Sequence, residues 1–220
     1  MPTVKQRFGL TGNQLKILAM IAMTCDHVGL QLFPQFPILR IIGRLALPIY
    51  AYMIAEGCRH THDRKQYLLR LAGLGLLCQV VYFFAMGSLY QCILITFSLS
   101  VCLICLYERK SQGHFFVGLL TVWFLCRVMP DLLPKTDFYI DYGIWGVMLP
   151  VLIYLSGNKG LIAGVLLLAL SYGGQQWWAF AAVPPLLLYN GQRGKWRIGK
   201  LFYFYYPVHL VVIYILSLML

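Results

Sequence analysis

Residues 38–58, ILRIIGRLALPIYAYMIAEGC, form an apolar run that is long enough for a helix to cross a lipid bilayer. Only Arg40, Arg44 and Glu56 interrupt this run with charge, and the basic stretch RHTHDRK follows directly at residues 59–65. An apolar run that ends in a basic stretch is typical of a spanning helix whose basic end faces the cytoplasm. The stretch therefore predicts a membrane-spanning helix, and runs of the same kind fill most of the chain.

The composition of the whole chain indicates the same class. Of its 220 residues, 60% are hydrophobic and only 11% are charged, and the mean hydropathy is +0.72, whereas soluble domains are nearer half apolar and a quarter charged. The apolar runs are continuous rather than alternating, which favours helices. We predict an all-α polytopic transmembrane bundle in which a single domain, residues 1–220, fills the chain, with the lipid bilayer as its partner.

The charged residues predict how the chain crosses the membrane. With a cytoplasmic amino terminus and an outer carboxyl terminus, 14 of the 18 basic residues fall at cytoplasmic positions. Because the net charge of +11 lies in short loops of this kind, it does not predict a nucleic-acid partner. We predict nine spans, and seven spans with one re-entrant pair are the alternative. The nine candidate spans are residues 14–33, 38–58, 66–86, 92–107, 114–130, 142–156, 160–173, 177–190 and 201–219.

Asp26 and His27 lie about two thirds of the way along the first candidate span. Ionisable side chains inside a membrane are costly to bury and usually face a cavity or the interior of a bundle, so they are candidates for function. Imidazole is the side chain best suited to proton transfer near neutral pH. The alternative is a pair used for helix packing, with Asp26 bonded to an arginine and His27 bonded to a backbone carbonyl.

Two arginines one turn apart begin the second candidate span. We predict that Arg44 pairs with Asp26, because a guanidinium fork suits a carboxylate. Arg40 is expected to be an interfacial anchor whose side chain extends to the headgroups, and Glu56 is expected to form a local salt bridge at the other end of the span.

The basic cluster at the inner end, which includes Arg59, His60 and Arg64, is mainly an orientation signal. It would also suit a polyphosphate ligand that arrives from the cytoplasm. Cys102 and Cys105 form a C-x-x-C pattern that we interpret as one turn of a lipid-embedded helix, and no metal site is predicted.

Two further stretches carry polar side chains in apolar surroundings. YGIWG, residues 142–146, begins the sixth candidate span, and Tyr142 is either an interfacial aromatic or part of a site. KLFYFYYPVHL, residues 200–210, places His209 near the middle of the last candidate span, beside the helix-bending Pro207. A lone histidine in an apolar helix is usually structural, but a second histidine at this depth favours a functional pair.

Together these stretches resemble the TraX family of bacterial inner-membrane proteins. The resemblance lies in four motifs that occur in the family's order, and it extends from about residue 15 to the carboxyl terminus. Many relatives carry an acid-Pro segment in the third span, where this chain has Gln79 in CQVVYFF, so any role of that acid is in doubt here. The motifs are LKILAMIAMTCDHVG, then LRIIGRLALPIYAYMIAEGCRHTHDRKQYLLRL, then YGIWGVMLP, then FYFYYPVHL.

The resemblance implies an acyltransferase that uses acetyl-CoA as a co-substrate. It implies that Asp26 and His27 are catalytic and that His209 lines the same site. We therefore predict His27, Asp26 and His209 as the catalytic residues, with His27 as the general base. The acceptor is an unknown amine or hydroxyl, carried by a protein amino terminus, a glycan or a small molecule. The residues expected to bind substrate are Arg44, Tyr142, Glu56, Arg59, His60, Arg64 and Tyr206.

A small proton-coupled transporter is the rival interpretation, because transporters also need intramembrane Asp, His and Arg. Such carriers usually contain internal repeats and broken helices, and the sequence shows no internal repeat. A membrane scaffold, in which the polar residues serve packing, is the third interpretation. Neither composition nor spacing by itself indicates acyl transfer.

Overall fold

A computed structural model of the chain describes residues 8–195 and 199–219, and α-helices make up most of these residues. No β-strand occurs among them, and only two isolated bridges are present, so the all-α prediction is confirmed. A π-helical turn, Phe124–Val128, joins α6 to α7, and a 3-10 helix, Gly174–Ala182, precedes α9. The helices are α1 (Gly12–Gln31), α2 (Pro37–Gly43), α3 (Ala46–His60), α4 (Arg64–Met86), α5 (Ile93–Glu108), α6 (Gln112–Trp123), α7 (Met129–Leu132), α8 (Gly143–Tyr172), α9 (Val183–Leu187) and α10 (Gly199–Ser217).

By length and composition alone, four helical segments of the described residues could cross a membrane, the last of which is broken at Gly157: Pro37–His60, Arg64–Phe84, Gln112–Leu132 and Gly143–Tyr172. Large apolar side chains of α4 and α6 are exposed, among them those of Phe84 and Phe116. Soluble monomers rarely expose apolar patches of this extent, and a bilayer covers them without cost. The protein is therefore a membrane protein.

The prediction of nine spans is not supported. Predicted span 177–190 is instead a 3-10 helix followed by the five-residue helix α9, because Pro184 and Pro185 begin that short helix and lack the N–H groups that a longer one would need. Ile93–Glu108 and Phe204–Ser217 are apolar but shorter than the four long segments. The sides of the membrane on which the two termini lie stay a prediction.

Predicted spans 142–156 and 160–173 belong to one helical element, α8, which breaks at Gly157. Gly157 has φ of +58° and ψ of −129°, a conformation that glycine adopts without steric cost. The two arms lie side by side, since a Cβ added at Gly164 would touch the side chain of Leu149. Each arm of about 14 residues is only about 21 Å long, so neither arm alone matches the roughly 30 Å hydrocarbon core.

The chain divides into two compact units. Unit 1 contains residues 1–53 and 169–220, and unit 2 contains residues 54–168. Within unit 1, α1 packs against α2 and α10, and the 3-10 helix packs against α2 and α9. Within unit 2, α5 packs against both α4 and α6. The prediction of a single domain stays a prediction.

Candidate functional site

The amino-terminal cap determines where α1 begins, and helix geometry then determines which way each of its side chains points. Thr11 caps the helix through a reciprocal pair of bonds: its N–H donates to Oε1 of Gln14 at 2.8 Å, and the Gln14 N–H donates to Oγ1 of Thr11 at 3.4 Å. Successive residues project about 100° apart in an α-helix. Asp26 and His27 are therefore presented to different neighbours, Asp26 to α2 and His27 to α10.

Asp26 lies between two arginines of the short segment that begins with α2. Its Oδ2 accepts a bond from Nη1 of Arg40 at 2.6 Å, and its Oδ1 accepts one from Nη2 of Arg44 at 2.5 Å. The predicted pair of Asp26 and Arg44 is confirmed. The prediction for Arg40 is wrong, because Arg40 lies one turn before Arg44 on the same side of the chain and reaches the same carboxylate instead of the headgroups.

This cluster carries an excess positive charge. One carboxylate faces two guanidinium groups, and the side chains of Asp26 and Arg44 are only 15% and 10% exposed. Both carboxylate oxygens accept a hydrogen bond from a guanidinium group. A partly buried cluster with net charge of +1 stabilises negative charge that develops on a bound molecule.

Gly43 makes room for the Asp26 carboxylate. A Cβ added at Gly43 would overlap the side chain of Asp26, so only glycine allows α2 to approach α1 this closely. The sequence motif that pairs this glycine with Arg44 thus has a steric cause: the glycine admits the carboxylate and the arginine binds it.

Replacing Gly43 by alanine is expected to lower the stability of the folded protein by about 1–3 kcal/mol, the usual cost of forcing extra carbon into a packed site. The thermal unfolding midpoint of purified protein in detergent measures this. Gly73→Ala is the matched control, because no atom lies within 4 Å of a Cβ at Gly73 and alanine favours a helix. Equal midpoints for the two variants would contradict the close approach.

Gln176, in the 3-10 helix, joins the cluster and was missed by the sequence analysis. Nη1 of Arg44 donates to Oε1 of Gln176 at 3.2 Å, and since arginine only donates, this bond fixes which end of the amide faces it. Gln176 is 4% exposed, and its Nε2 has no hydrogen-bond partner within the described part of the chain. The sequence signal for it is a glutamine pair, Gln175 and Gln176, inside an apolar region.

The two histidines form a second pair, between α1 and α10. Nδ1 of His27 lies 2.9 Å from the Met23 carbonyl oxygen, and Nδ1 of His209 lies 2.9 Å from that of Tyr205. A carbonyl oxygen only accepts, so in both neutral rings the proton is on Nδ1. Nε2 of His209 lies 3.3 Å from Nδ1 of His27 and accepts a share of the same N–H. Nε2 of His27 is then left with a lone pair.

These contacts agree with the packing interpretation of Asp26 and His27 in part, and they leave one nitrogen of His27 outside it. An arginine partner for Asp26 and a backbone carbonyl for His27 are both present, as that interpretation requires. The carbonyl, however, takes up only Nδ1 of His27. The same bond that would serve packing holds the ring with Nε2 unprotonated, which is the state that a general base needs.

Tyrosines enclose His209. The ring of Tyr205 stacks on it at 5.1 Å between centroids, and the ring of Tyr206 meets it edge-on at 5.6 Å. The Tyr205 hydroxyl also bonds Oγ1 of Thr24, which itself donates to the Met20 carbonyl at 2.9 Å. Tyr206 therefore lies next to His209, and its role in binding substrate stays a prediction, whereas Tyr205 and Thr24 were not predicted as site residues.

The predicted inner-edge cluster lies in unit 2 and is largely neutralised there. Glu56 accepts bonds from Arg59 at 2.6 Å and from His60 at 3.3 Å, so the predicted local salt bridge is confirmed. Arg59 also donates to two backbone carbonyls of α8. Arg64 donates to the Cys58 carbonyl and to Glu108. Because these guanidinium groups are engaged, their contact with phosphate stays a prediction.

Tyr142 also lies in unit 2, immediately before α8. It has φ of +56°, which is uncommon for a residue with a side chain, and its carbonyl accepts the N–H of Gly146 at 2.8 Å. A Cβ at Gly146 would overlap Tyr142, so this glycine admits the strained turn. The role of Tyr142 in a site with His27 stays a prediction.

Comparison with known proteins adds a family. A family model described as "TraX protein" matches residues 11–217. A protein of Dichelobacter nodosus, "Probable fimbrial assembly protein FimC, serogroup H1", is 26% identical over 236 residues, which cover 91% of this chain and 93% of that protein. "Protein TraX" of Escherichia coli is 26% identical over 160 residues, and "Uncharacterized protein RP591" of Rickettsia prowazekii (strain Madrid E) is 28% identical over 151 residues.

The three relatives differ in how much of their length is matched. The aligned parts cover 72% and 66% of this chain but only 54% of the Escherichia coli protein and 55% of the Rickettsia prowazekii protein. The chain thus spans about half the length of these two relatives, in contrast to the nearly complete match with the Dichelobacter nodosus protein. No solved structure matches the chain.

Proposed function

Since the chain belongs to the TraX family, we propose that it is a membrane-embedded acetyltransferase that moves the acetyl group of acetyl-CoA to an amine or hydroxyl acceptor. One observation carries the proposal. Nε2 of His27 has a lone pair, and His27 is the next residue after Asp26, which belongs to a cluster with excess positive charge. A base and a cationic group are the two parts that acyl transfer from a thioester requires.

In the proposed reaction, His27 Nε2 takes the proton of the acceptor as the acceptor nitrogen or oxygen attacks the thioester carbonyl carbon. The new bond to carbon forms, the carbon–sulfur bond breaks, and the departing CoA sulfur receives the proton back from His27. During the step the charged His27 ring keeps its Nδ1–H, which the Met23 carbonyl and Nε2 of His209 both accept. These two acceptors stabilise the transient imidazolium, and general base catalysis of this kind contributes about 10²–10⁴-fold.

The negative charge that forms on the carbonyl oxygen needs donors. Arg40 and Arg44 together carry one more positive charge than the carboxylate of Asp26 neutralises. The Nε2–H of Gln176 supplies a buried donor, whose missing partner costs about 1–3 kcal/mol until an acceptor such as the thioester oxygen binds. Donors held in place before the reaction stabilise the transition state without reorganisation.

Gln176→Glu is expected to lower the rate of acetyl transfer on the order of 10²-fold, as the loss of one oxyanion donor does elsewhere. The glutamate keeps an oxygen for Arg44 but lacks the N–H donor, so the unfolding midpoint is expected not to fall. Labelled acetyl transfer and thermal unfolding of the same preparations measure the two effects. Gln175→Glu, at the exposed neighbouring position, is the matched control, and equal rates for both variants would argue against the donor role.

The proposal includes a place and an orientation. We place the protein in the bacterial inner membrane with its amino terminus in the cytoplasm, since acetyl-CoA is made and kept there. The acceptor class is a protein amino terminus, a glycan or a small molecule. The name of the Dichelobacter nodosus relative, a probable fimbrial assembly protein, supports a fimbrial subunit as one protein acceptor to test.

Reconstituted wild-type protein tests the function. Liposomes receive acetyl-CoA with a radiolabelled acetyl group and, in separate samples, a peptide with a free amino terminus, an amino sugar or a primary alcohol. The expected result is label on at least one acceptor, with a peptide whose amino terminus is blocked as the control. Proton flux across the same liposomes, with no label on any acceptor class, would instead support the transporter.

A further inference from the structure

Unit 1 contains a cavity of about 780 Å³ at the beginning of α1. Two stretches of chain form its walls, residues 8–14 and residues 188–195, and its polar lining includes Thr11, Gln14 and Asn190 together with Arg193 and Lys195. Its volume falls within the range of about 300–1,000 Å³ that sites for small molecules and cofactors occupy. The cavity lies apart from His27, which is further along the same helix.

The walls are held together by backbone hydrogen bonds. The N–H of Leu10 donates to the Leu188 carbonyl at 2.8 Å, and the N–H of Asn190 donates to the Leu10 carbonyl at 2.9 Å. The N–H groups of Gly12 and Asn13 are bonded in the same way, to the carbonyls of the facing stretch at 2.8 and 3.0 Å. The first N–H groups of α1 are thus occupied, and recognition in the cavity depends on its side chains.

The charge of the two stretches is one-sided. Residues 8–14 and 188–195 contain two basic residues, Arg193 and Lys195, and no Asp or Glu, and no carboxylate is among the residues that line the cavity. The contrast with unit 2 is direct, because Arg59 and Arg64 there are paired with glutamates. Arg193 and Lys195 therefore supply positive charge for which the cavity itself contains no counter-ion.

We propose that this cavity binds a phosphate-bearing organic anion of about nucleotide size. Arginine binds phosphate through two parallel bonds and lysine binds it as a point charge, while Thr11, Gln14 and Asn190 supply neutral polar groups. The identity of the anion, unlike the site itself, rests on the proposed function: if that function is correct, the anion is the nucleotide end of acetyl-CoA. Gln14 and His27 are 13 residues apart on α1, about 20 Å along the helix axis, and the flexible thiol arm of CoA would extend between them.

Binding of adenosine 3′,5′-bisphosphate and of CoA to the purified full chain tests the site. The protein is placed in nanodiscs of uncharged lipid, and each compound is titrated by calorimetry. The expected result is that both compounds bind wild type and that Arg193→Gln/Lys195→Gln weakens both at least tenfold. Arg109→Gln/Lys159→Gln, which removes one guanidinium and one ammonium from unit 2, is the matched control and is expected to bind like wild type.

Three results would overturn the site. The first is that neither compound binds. The second is that the control variant weakens binding as much as the cavity variant does. The third is that the cavity residues change the protein's behaviour only in nanodiscs with phosphatidylglycerol, which would indicate a lipid headgroup as the ligand. The site and the function fail separately. Binding that is lost in the cavity variant, without any acetyl transfer by wild type, keeps the site and ends the function. Acetyl transfer by the cavity variant with an unchanged KM for acetyl-CoA keeps the function and ends the site.

Discussion

His27→Ala is expected to lower the rate of acetyl transfer by about 10²–10⁴-fold, which is the contribution of a positioned general base. The alanine removes the only atom that the proposed reaction uses to carry the acceptor's proton, Nε2 of His27. The cationic cluster around Asp26 is expected to stay in place, because the bonds of Arg40 and Arg44 to Asp26 and of Arg44 to Gln176 do not involve the imidazole ring. Residual transfer above the uncatalysed rate is therefore expected, and steady-state transfer of labelled acetyl groups measures the loss.

His62→Ala is the matched control, because His62 is exposed and lies outside the helices. Its rate is expected to equal that of wild type. His209→Ala is expected to have a smaller effect than His27→Ala, since His209 acts by accepting part of the Nδ1–H of His27 and does not touch the acceptor. A His209 variant that is as inactive as the His27 variant, or a His27 variant with wild-type rate, would contradict these roles.

Arg44→Ala is expected to destabilise the folded protein by about 3 kcal/mol, the lower end of the range for breaking a buried ion pair. The lower end applies because Arg40 still pairs with Asp26. The variant also leaves Oε1 of Gln176 without its donor, which adds to the loss. The unfolding midpoint in detergent measures the effect, and Arg127→Ala, at an exposed position, is the matched control with an expected change of about 0.5 kcal/mol or less.

A double-mutant cycle separates the ion pair from lost packing. Asp26→Asn alone leaves two guanidinium groups without a carboxylate, whereas Asp26→Asn/Arg44→Ala leaves only one. Because residues in one network do not act independently, the double variant is expected to be more stable than the sum of the two single losses predicts. Simple additivity of the three free energies of unfolding would show that Arg44 and Asp26 do not interact.

The class of fold and one ion pair were predictable from the sequence for the same reason. Charge is costly in an apolar environment, so a carboxylate and an arginine on neighbouring spans must meet, and Asp26 and Arg44 do. The behaviour of Arg40 was not predictable from this rule. Whether a long cation reaches the headgroups or a buried carboxylate depends on how closely two helices approach, and Gly43 is the residue that leaves room for the Asp26 side chain.

The number of spans was predicted from apolar length, and length fails where prolines limit a helix, as Pro184 and Pro185 do within predicted span 177–190. The break between predicted spans 142–156 and 160–173 was predictable, because the polar stretch SGNKG, residues 156–160, interrupts the apolar run and α8 breaks there, at Gly157. Gln176 was missed for a different reason. Its importance comes from the one bond that orients its amide toward Arg44, a tertiary contact across more than 100 residues that no local pattern encodes.

His27 is proposed to supply the base of the acetyl-transfer site, and a variant without a basic nitrogen at this position separates that role from the binding of CoA. Wild type and His27→Asn are reconstituted side by side, and CoA binding and labelled acetyl transfer are measured on each. Asparagine keeps an N–H donor close to where Nδ1 of His27 bonds the Met23 carbonyl but has no basic nitrogen. Equal CoA affinity is expected in both proteins, with acetyl transfer by wild type alone. Equal transfer by both proteins would contradict the proposed role of His27.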